Sequence, residues 1–248
     1  MRATYVTEAV GTFFLVFTIG LTVLSGTPLA PLAIGFALMV MVYMGGHVSG
    51  AHYNPAVTLA VWMRGKLAGR EVAPYVVAQL AGAVLAALAV YAVTGKTFAP
   101  APGAAVGSGR ALLVEGLFTF ALALVVLNVA TSRQTEGNSF FGLAIGATVT
   151  AAAFAGGAVS GGAFNPAVGI GPALVDAALG GGTLGHVWLY LVGPLAGGAL
   201  AAWLFRLQNP ADTAQAIPAP PAGEVLPEGA GGVRAEELLT PARDAPAR

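Results

Sequence analysis

Long apolar segments separated by short polar ones occupy most of the chain. Six of them approach the ~20 residues that a helix needs to cross the hydrocarbon core of a bilayer. They cover residues 4–24, 32–46, 74–93, 111–130, 140–156 and 187–207. None shows the period-2 alternation of polarity that is typical of a transmembrane barrel strand. The pattern therefore predicts an all-α membrane protein with six transmembrane helices.

Two shorter apolar segments, residues 55–63 and 166–179, follow Asn54 and Asn165. At ~1.5 Å per residue, segments of this length cover about half of a ~30 Å hydrocarbon core. We therefore expect two re-entrant half-helices that enter the membrane without crossing it.

The chain repeats itself. Residues 32–57 align with residues 143–168 without a gap, with 13 identities in 26 positions, and Glu8 recurs as Glu115. Repeat one covers about residues 4–94 and repeat two about residues 111–207. Because each unit has three spans, two copies in one chain must lie in the membrane with opposite orientation. Such inverted repeats place a pathway near the bilayer midplane and build it from interrupted helices.

Basic residues indicate which loops are cytoplasmic. With the N-terminus inside, the cytoplasmic segments hold Arg2, Arg64, Lys66, Arg70, Arg133 and Arg206, and the opposite side holds only Lys96 and Arg110. This bias favours cytoplasmic N- and C-termini. The channel domain is expected to cover residues 1–208. Residues 209–248 are rich in Pro and Ala and poor in large apolar residues, which predicts a disordered cytoplasmic tail.

Composition narrows the function. Only 9% of residues are charged and the net charge is zero, which gives nucleic acid nothing to bind. The chain has no cysteine and three histidines, so we expect no disulfide, no metal site and no cofactor. We find no nucleophile–base–acid set and no phosphate loop, so the chain is not expected to be an enzyme.

The chemistry is concentrated in two Asn-Pro-Ala motifs, Asn54-Pro55-Ala56 and Asn165-Pro166-Ala167. Asn is a favoured N-cap and Pro is favoured at the first helical position, so each motif predicts a helix start. If both half-helices begin near the midplane, their positive dipole ends converge there and disfavour cations. A third copy, at 209–211, lacks the Gly-rich approach and leads into the polar tail, so we interpret it as a coincidence.

These residues resemble the aquaporin and glycerol-facilitator (major intrinsic protein) family over about residues 4–207. The resemblance rests on GHVSGAHYNPAVTLA from Gly46, SGGAFNPAVGIGPA from Ser160 and the Glu8/Glu115 pair. It implies an aquaporin-like fold in the cell (inner) membrane, a homotetramer with a pore in each subunit, and passive flow of water and small uncharged solutes.

At one place the chain departs from that family. Most members carry an arginine after the second motif, where this chain has Val168. The other selectivity-filter positions map onto Ile34, Ala153 and Gly162. The implied filter is wide, apolar and without fixed charge, so glycerol, urea, ammonia or hydrogen peroxide are expected to pass besides water. Alternatively, an apolar ring can dewet and gate, which would leave a facilitator of such solutes with poor water flow.

Three further polar residues are candidates for pore or loop support. Glu8 and Glu115 are acids inside spans, where an ionisable residue is a functional hypothesis by default. We favour a role in accepting backbone N–H bonds over a proton relay, as the resemblance also implies. His52 is implied to line the cytoplasmic half of the pore. An ion-coupled secondary transporter and a purely adhesive protein remain the alternatives to a channel.

Overall fold

The computed structural model describes residues 2–213, which are almost entirely helical. Within this range nine α-helices follow one another: α1 (Arg2–Ser25), α2 (Ala30–Ser49), α3 (Pro55–Met63), α4 (Gly69–Thr94), α5 (Ser108–Thr131), α6 (Phe141–Ser160), α7 (Pro166–Val175), α8 (Val187–Gln208) and α9 (Pro210–Thr213). All except α3, α7 and α9 are long and apolar enough to cross a membrane. The predicted fold class, an all-α protein with six transmembrane helices, is confirmed.

The two short apolar helices have 9 and 10 residues. A π-helical turn, Asp176–Gly180, continues α7. Their sides are covered by other helices, and Ala56 and Ala167 are fully buried. Short helices buried in this way fit the re-entrant half-helices expected at these positions, because backbone that stops at membrane depth is tolerated only inside protein or along a wet cavity.

Several helices extend beyond the apolar segments that predicted them. Helix α4 begins at Gly69 and contains Pro74, whereas hydropathy placed its start at 74. Arg70 and Glu71 are charged, so the first turn carries no membrane signal although it is helical. Helix α2 likewise continues to Ser49 and ends at Gly50, whose φ of 82° forms a left-handed cap.

Equivalent helices of the two repeats pack in the same way. Helix α1 packs along α4, α5 packs along α8, and α2 meets α6 between the repeats. Glycine permits the close approach. A Cβ at Gly82 would lie 2.2 Å from the Ala9 carbonyl oxygen, and one at Gly197 would lie 2.3 Å from that of Gly116. Small residues therefore let the backbones touch, as is common between membrane helices.

A short helix, α9, follows the sixth span, and the third Asn-Pro-Ala sequence forms its start. Its Asp212 is buried and lies 3.7 Å from the Arg64 guanidinium at the end of α3. The same carboxylate accepts the backbone N–H of Arg133 at 3.3 Å. These contacts join α9 to α3 and to the α5–α6 connection. The rest of the predicted tail, residues 214–248, lies outside the described residues.

Candidate functional site

The two half-helices begin with the same local structure. Asn54 and Asn165 have extended backbones, and each side-chain Oδ1 accepts the backbone N–H two residues further on. The distances are 2.8 Å to the nitrogen of Ala56 and 2.9 Å to that of Ala167. The intervening proline has no N–H to satisfy and its ring fixes a helical φ. Both asparagines are therefore N-caps whose amide nitrogens remain available for other partners.

Those amide nitrogens cross between the repeats. Nδ2 of Asn54 donates to the carbonyl of Phe164 at 2.9 Å, and Nδ2 of Asn165 donates to the carbonyl of Tyr53 at 2.8 Å. The structure thus brings the two motifs together, N-terminus to N-terminus. Since an amide nitrogen carries two hydrogens, each asparagine retains one N–H after making its crossing bond.

The segments that lead into the asparagines have unusual backbone geometry. Ala51, Tyr53 and Phe164 have positive φ values of 51°, 47° and 49°. Gly162, at the position equivalent to Ala51, has φ 66°. A left-handed conformation costs a residue with a side chain roughly 1–2 kcal/mol, so these loops need external support. Their geometry turns the carbonyls of Tyr53 and Phe164 toward the asparagine of the other repeat.

The support in the first repeat comes from the carboxylate of Glu8, which is fully buried. Its oxygens accept the hydroxyl of Ser49 at 2.6 Å and the backbone N–H groups of His52 and Tyr53 at 3.0 and 2.7 Å. The amide of Gln79 is the fourth donor, at 2.8 Å. Charge-assisted bonds to backbone N–H groups are about twice as strong as neutral ones, so this carboxylate fixes the loop.

Glu115 occupies the equivalent place in the second repeat and is also fully buried. It accepts the hydroxyl of Ser160 at 2.6 Å and the backbone N–H groups of Ala163 and Phe164 at 3.0 and 2.6 Å. Pro194 stands where the first repeat has Gln79, so no fourth donor comes from that position. Both predicted acids therefore bind the loops that precede the asparagines.

Three cavities that share lining residues adjoin this centre. The narrow segment, of about 30 Å³, is lined by Asn54 and Asn165. It shares Ile34 and Val168 with a cavity of about 450 Å³ beside Phe98, here called the Phe98 vestibule. It shares His52 with a cavity of about 780 Å³ beside His47, here called the His47 vestibule. His52 lines both the narrow segment and the His47 vestibule, so it lies at their junction.

All four residues mapped to the filter line the Phe98 vestibule: Ile34, Ala153, Gly162 and Val168. Ile34, Gly162 and Val168 also line the narrow segment, so they lie at its entrance. None of the four carries a polar side chain. These four side chains therefore provide no donor, acceptor or fixed charge, and among the described residues only backbone groups can bind a solute at the entrance.

Sequence reasoning missed several residues at the site. Phe98, from the connection between α4 and α5, adds an aromatic ring to the vestibule, and sequence analysis did not identify it. Gln79 was missed because nothing local indicates that it reaches Glu8. Tyr75 and Tyr190, which donate to the carbonyls of Ser49 and Ser160 at 2.8 and 2.6 Å, occupy equivalent repeat positions, and that equivalence was a usable signal.

Comparisons with known proteins agree on one family. The family model described as Major intrinsic protein matches residues 1–205. The chain is 37% identical over 222 residues to "Glycerol uptake facilitator protein-like 6" of Lactiplantibacillus plantarum, covering 84% of this chain and 99% of that one. It is 38% identical over 212 residues to "Aquaporin NIP1-1" of Zea mays, covering 82% and 73%.

A solved structure has the same fold. The X-ray structure of the aquaglyceroporin from Plasmodium falciparum superposes with a TM-score of 0.76 at 23% sequence identity. The match covers 85% of this chain and 98% of that chain. At this identity the likeness concerns the fold alone.

Proposed function

The chain belongs to the major intrinsic protein family, and from that premise we propose that it is a passive transmembrane channel for water and small uncharged solutes. The observation that carries the proposal is the pair of crossing bonds between Asn54 and Asn165 and the opposite loops. They hold two helix N-termini against one narrow segment, and each asparagine retains one N–H for a passing oxygen atom.

The same arrangement opposes cations. Each helix N-terminus carries the equivalent of about half a positive charge, and α3 and α7 both begin at the narrow segment. A cation would have to leave water and pass both positive ends. A neutral molecule pays only for its lost hydrogen bonds, which the asparagine amides and the loop carbonyls replace. Selection against charge therefore needs no charged side chain here.

The dimensions support water as a permeant. A cavity needs roughly 10–15 Å³ of probe volume to hold one water molecule, and the narrow segment offers about 30 Å³. We propose Ile34, Ala153, Gly162 and Val168 as the selectivity filter, with Ala153 in the Phe98 vestibule and the other three at the entrance of the narrow segment. Because these side chains are small or apolar, solutes of the size of urea are expected to pass the entrance besides water.

A coupled transporter fits the site less well. Coupling to an ion needs acids or carbonyl clusters that are free to bind it. Glu8 accepts four donors and Glu115 accepts three, so both carboxylates are occupied by the loops. Passive flow requires no such group.

Stopped-flow light scattering of proteoliposomes tests the proposal, with sucrose, glycerol and urea gradients in turn. In a sucrose gradient we expect proteoliposomes to shrink faster than protein-free liposomes. An ionophore that collapses the proton gradient should leave this shrinkage rate unchanged. Ala153→Trp, which narrows the Phe98 vestibule, should lower the excess rate. Leu113→Trp is the matched control, since Leu113 is 61% exposed on the outer face of α5. Equal rates with and without protein would refute the channel.

We further propose the domain arrangement and orientation expected from the sequence: repeats at 4–94 and 111–207 in opposite orientation, with both termini cytoplasmic in the cell (inner) membrane. The His47 vestibule is then the cytoplasmic mouth. The chain has no cysteine, so single cysteines report on sidedness cleanly. In intact cells an impermeant maleimide should label Lys96→Cys and spare Arg70→Cys, and the reverse result would invert the orientation.

Family membership also leads us to propose a homotetramer with one pore in each subunit. Closed symmetric assemblies are the rule for oligomers of one chain. Native mass spectrometry from detergent should give four times the mass of one 24.7 kDa chain. A permeable monomer would separate the channel proposal from the tetramer proposal.

A further inference from the structure

One polar network distinguishes the two repeats. Three positions of repeat one are polar, namely His52, Thr58 and Gln79, and their equivalents in repeat two are Ala163, Gly169 and Pro194. These three polar residues of repeat one therefore have apolar equivalents in repeat two. In the structure the three polar side chains contact one another, and all three are buried.

Thr58 lies at the centre of the network. Its hydroxyl oxygen lies 3.1 Å from the Asn54 carbonyl oxygen, 2.9 Å from Nε2 of Gln79 and 3.1 Å from Nδ1 of His52. A hydroxyl has one hydrogen to donate and two lone pairs to accept with. The Thr58 hydroxyl can therefore bond all three neighbours at the same time only if one of them accepts its hydrogen and the other two donate to its oxygen.

Glu8 sets the direction of these bonds. The Gln79 amide nitrogen lies 2.8 Å from Oε2 of Glu8, and a carboxylate only accepts. The NH₂ end of Gln79 must face this carboxylate, so its second hydrogen is directed to Thr58. The Asn54 carbonyl can only accept, so it takes the Thr58 hydrogen. The remaining lone pair of Thr58 is then satisfied only by a hydrogen on Nδ1 of His52.

We propose that Thr58, oriented by Gln79 and Glu8, holds His52 in the tautomer protonated at Nδ1, so that Nε2 presents a lone pair to permeating solutes. The opposite tautomer would send the Thr58 hydrogen to His52 and lose the bond to Asn54. Within residues 2–213 Nε2 has no hydrogen-bond partner, and His52 lines the junction of the narrow segment and the His47 vestibule.

The consequence for permeation rests on the proposed channel function. The asparagine pair offers donors at the centre, and His52 offers an acceptor immediately beyond it. A molecule with an N–H or O–H to give, such as water, ammonia, urea or glycerol, is bonded at both places. A solute that only accepts hydrogen bonds loses a partner at the junction, so His52 is a specificity-determining residue for hydrogen-bond donors.

The tautomer can be read by ¹⁵N solid-state NMR of the full chain in proteoliposomes. The other two histidines, His47 and His186, are both exposed, and changing them to Gln leaves His52 as the single imidazole. We expect a directly bonded proton on Nδ1 and none on Nε2. A proton on Nε2 in the otherwise unaltered protein overturns the proposal, and this measurement does not depend on whether further variants fold or whether solutes permeate.

Thr58→Val removes the hydroxyl and should release the second tautomer. Because the second tautomer donates from Nε2, the permeability of a solute that only accepts hydrogen bonds, such as dimethyl sulfoxide, should then rise roughly fivefold relative to that of water, the equivalent of one ordinary hydrogen bond. Thr58→Ser should keep both the tautomer and this permeability ratio. Thr12→Val is the matched control, because the buried Thr12 hydroxyl has no partner among the described residues, and it should change neither readout. Retention of the single Nδ1–H tautomer in Thr58→Val would exclude Thr58 as the positioning residue.

Discussion

Replacement of Glu115 by Gln isolates the contribution of one buried carboxylate to the pore. Oε1 accepts the Ser160 hydroxyl and the Ala163 N–H, and Oε2 accepts the Phe164 N–H at 2.6 Å. Gln is nearly the same shape, but its NH₂ group cannot accept. Placing Oε1 as before leaves the Phe164 N–H facing another donor, and the two remaining bonds become neutral.

The magnitude follows from these bonds. An orphaned buried N–H costs about 1–3 kcal/mol, and a bond to a charged group is worth about 1 kcal/mol more than a neutral one. Two bonds become neutral and one N–H is orphaned, so we expect Glu115→Gln to lower the free energy of unfolding by about 3–5 kcal/mol. Water permeability should fall as well, since the Phe164 carbonyl that accepts from Asn54 is carried by the same loop.

Reversible unfolding in mixed micelles measures the stability change, and proteoliposome shrinkage measures the rate. Thr119→Val is the control one helical turn away. Its hydroxyl is buried without a partner among the described residues, so its removal should cost little. A loss in Glu115→Gln no larger than that in Thr119→Val would refute the account of the carboxylate as the support of the loop.

Three further changes test other parts of the structure. Val168→Arg should reduce urea passage relative to water in stopped-flow assays, and an unchanged ratio would exclude Val168 from the filter. The Ser132 hydroxyl, chief among its partners, holds the pKa of Asp212 below the usual range. The contacts of its carboxylate are therefore complete above the ordinary aspartate pKa and lost as pH falls through the lowered value. Protection of the amides of the α5–α6 connection from hydrogen exchange, corrected for the intrinsic pH dependence of exchange, should therefore fall on acidification, but not in Asp212→Asn. Gly82→Ala drives a Cβ to 2.2 Å from a carbonyl oxygen of α1 and should cost about 1–3 kcal/mol of unfolding free energy, whereas Gly109→Ala, with nothing within 4 Å of its Cβ, should be neutral or stabilising.

The sequence predicted those features that depend on local chemistry. Apolar length indicated six membrane helices, and the Asn-Pro pairs indicated where α3 and α7 begin, because an N-cap and a first-turn proline act within a few residues. The internal repeat made it possible to expect that Asn54 and Asn165 come together. These features depend on residues close together in the chain or on the symmetry of the repeat, and both are visible in the amino-acid sequence.

Other features depend on contacts that no local pattern encodes. Phe98 reaches its vestibule from a connecting segment with no motif, and Gln79 reaches Glu8 across 71 positions of sequence. The polar start of α4 escaped hydropathy because helix and membrane boundaries need not coincide. The short helix α9 begins at the proline of the third Asn-Pro-Ala sequence and brings Asp212 to Arg64, a contact that the sequence motif does not indicate.

The crossing bonds between the asparagines and the opposite loops also limit how this protein can move. A carrier that exposes its substrate to each side in turn must rotate one half of the molecule against the other, and here that rotation would break both bonds at the centre. The centre of the molecule is therefore held rigid. Any regulation of permeation has to act at the two vestibules, where loops and side chains can move while the crossing bonds stay intact.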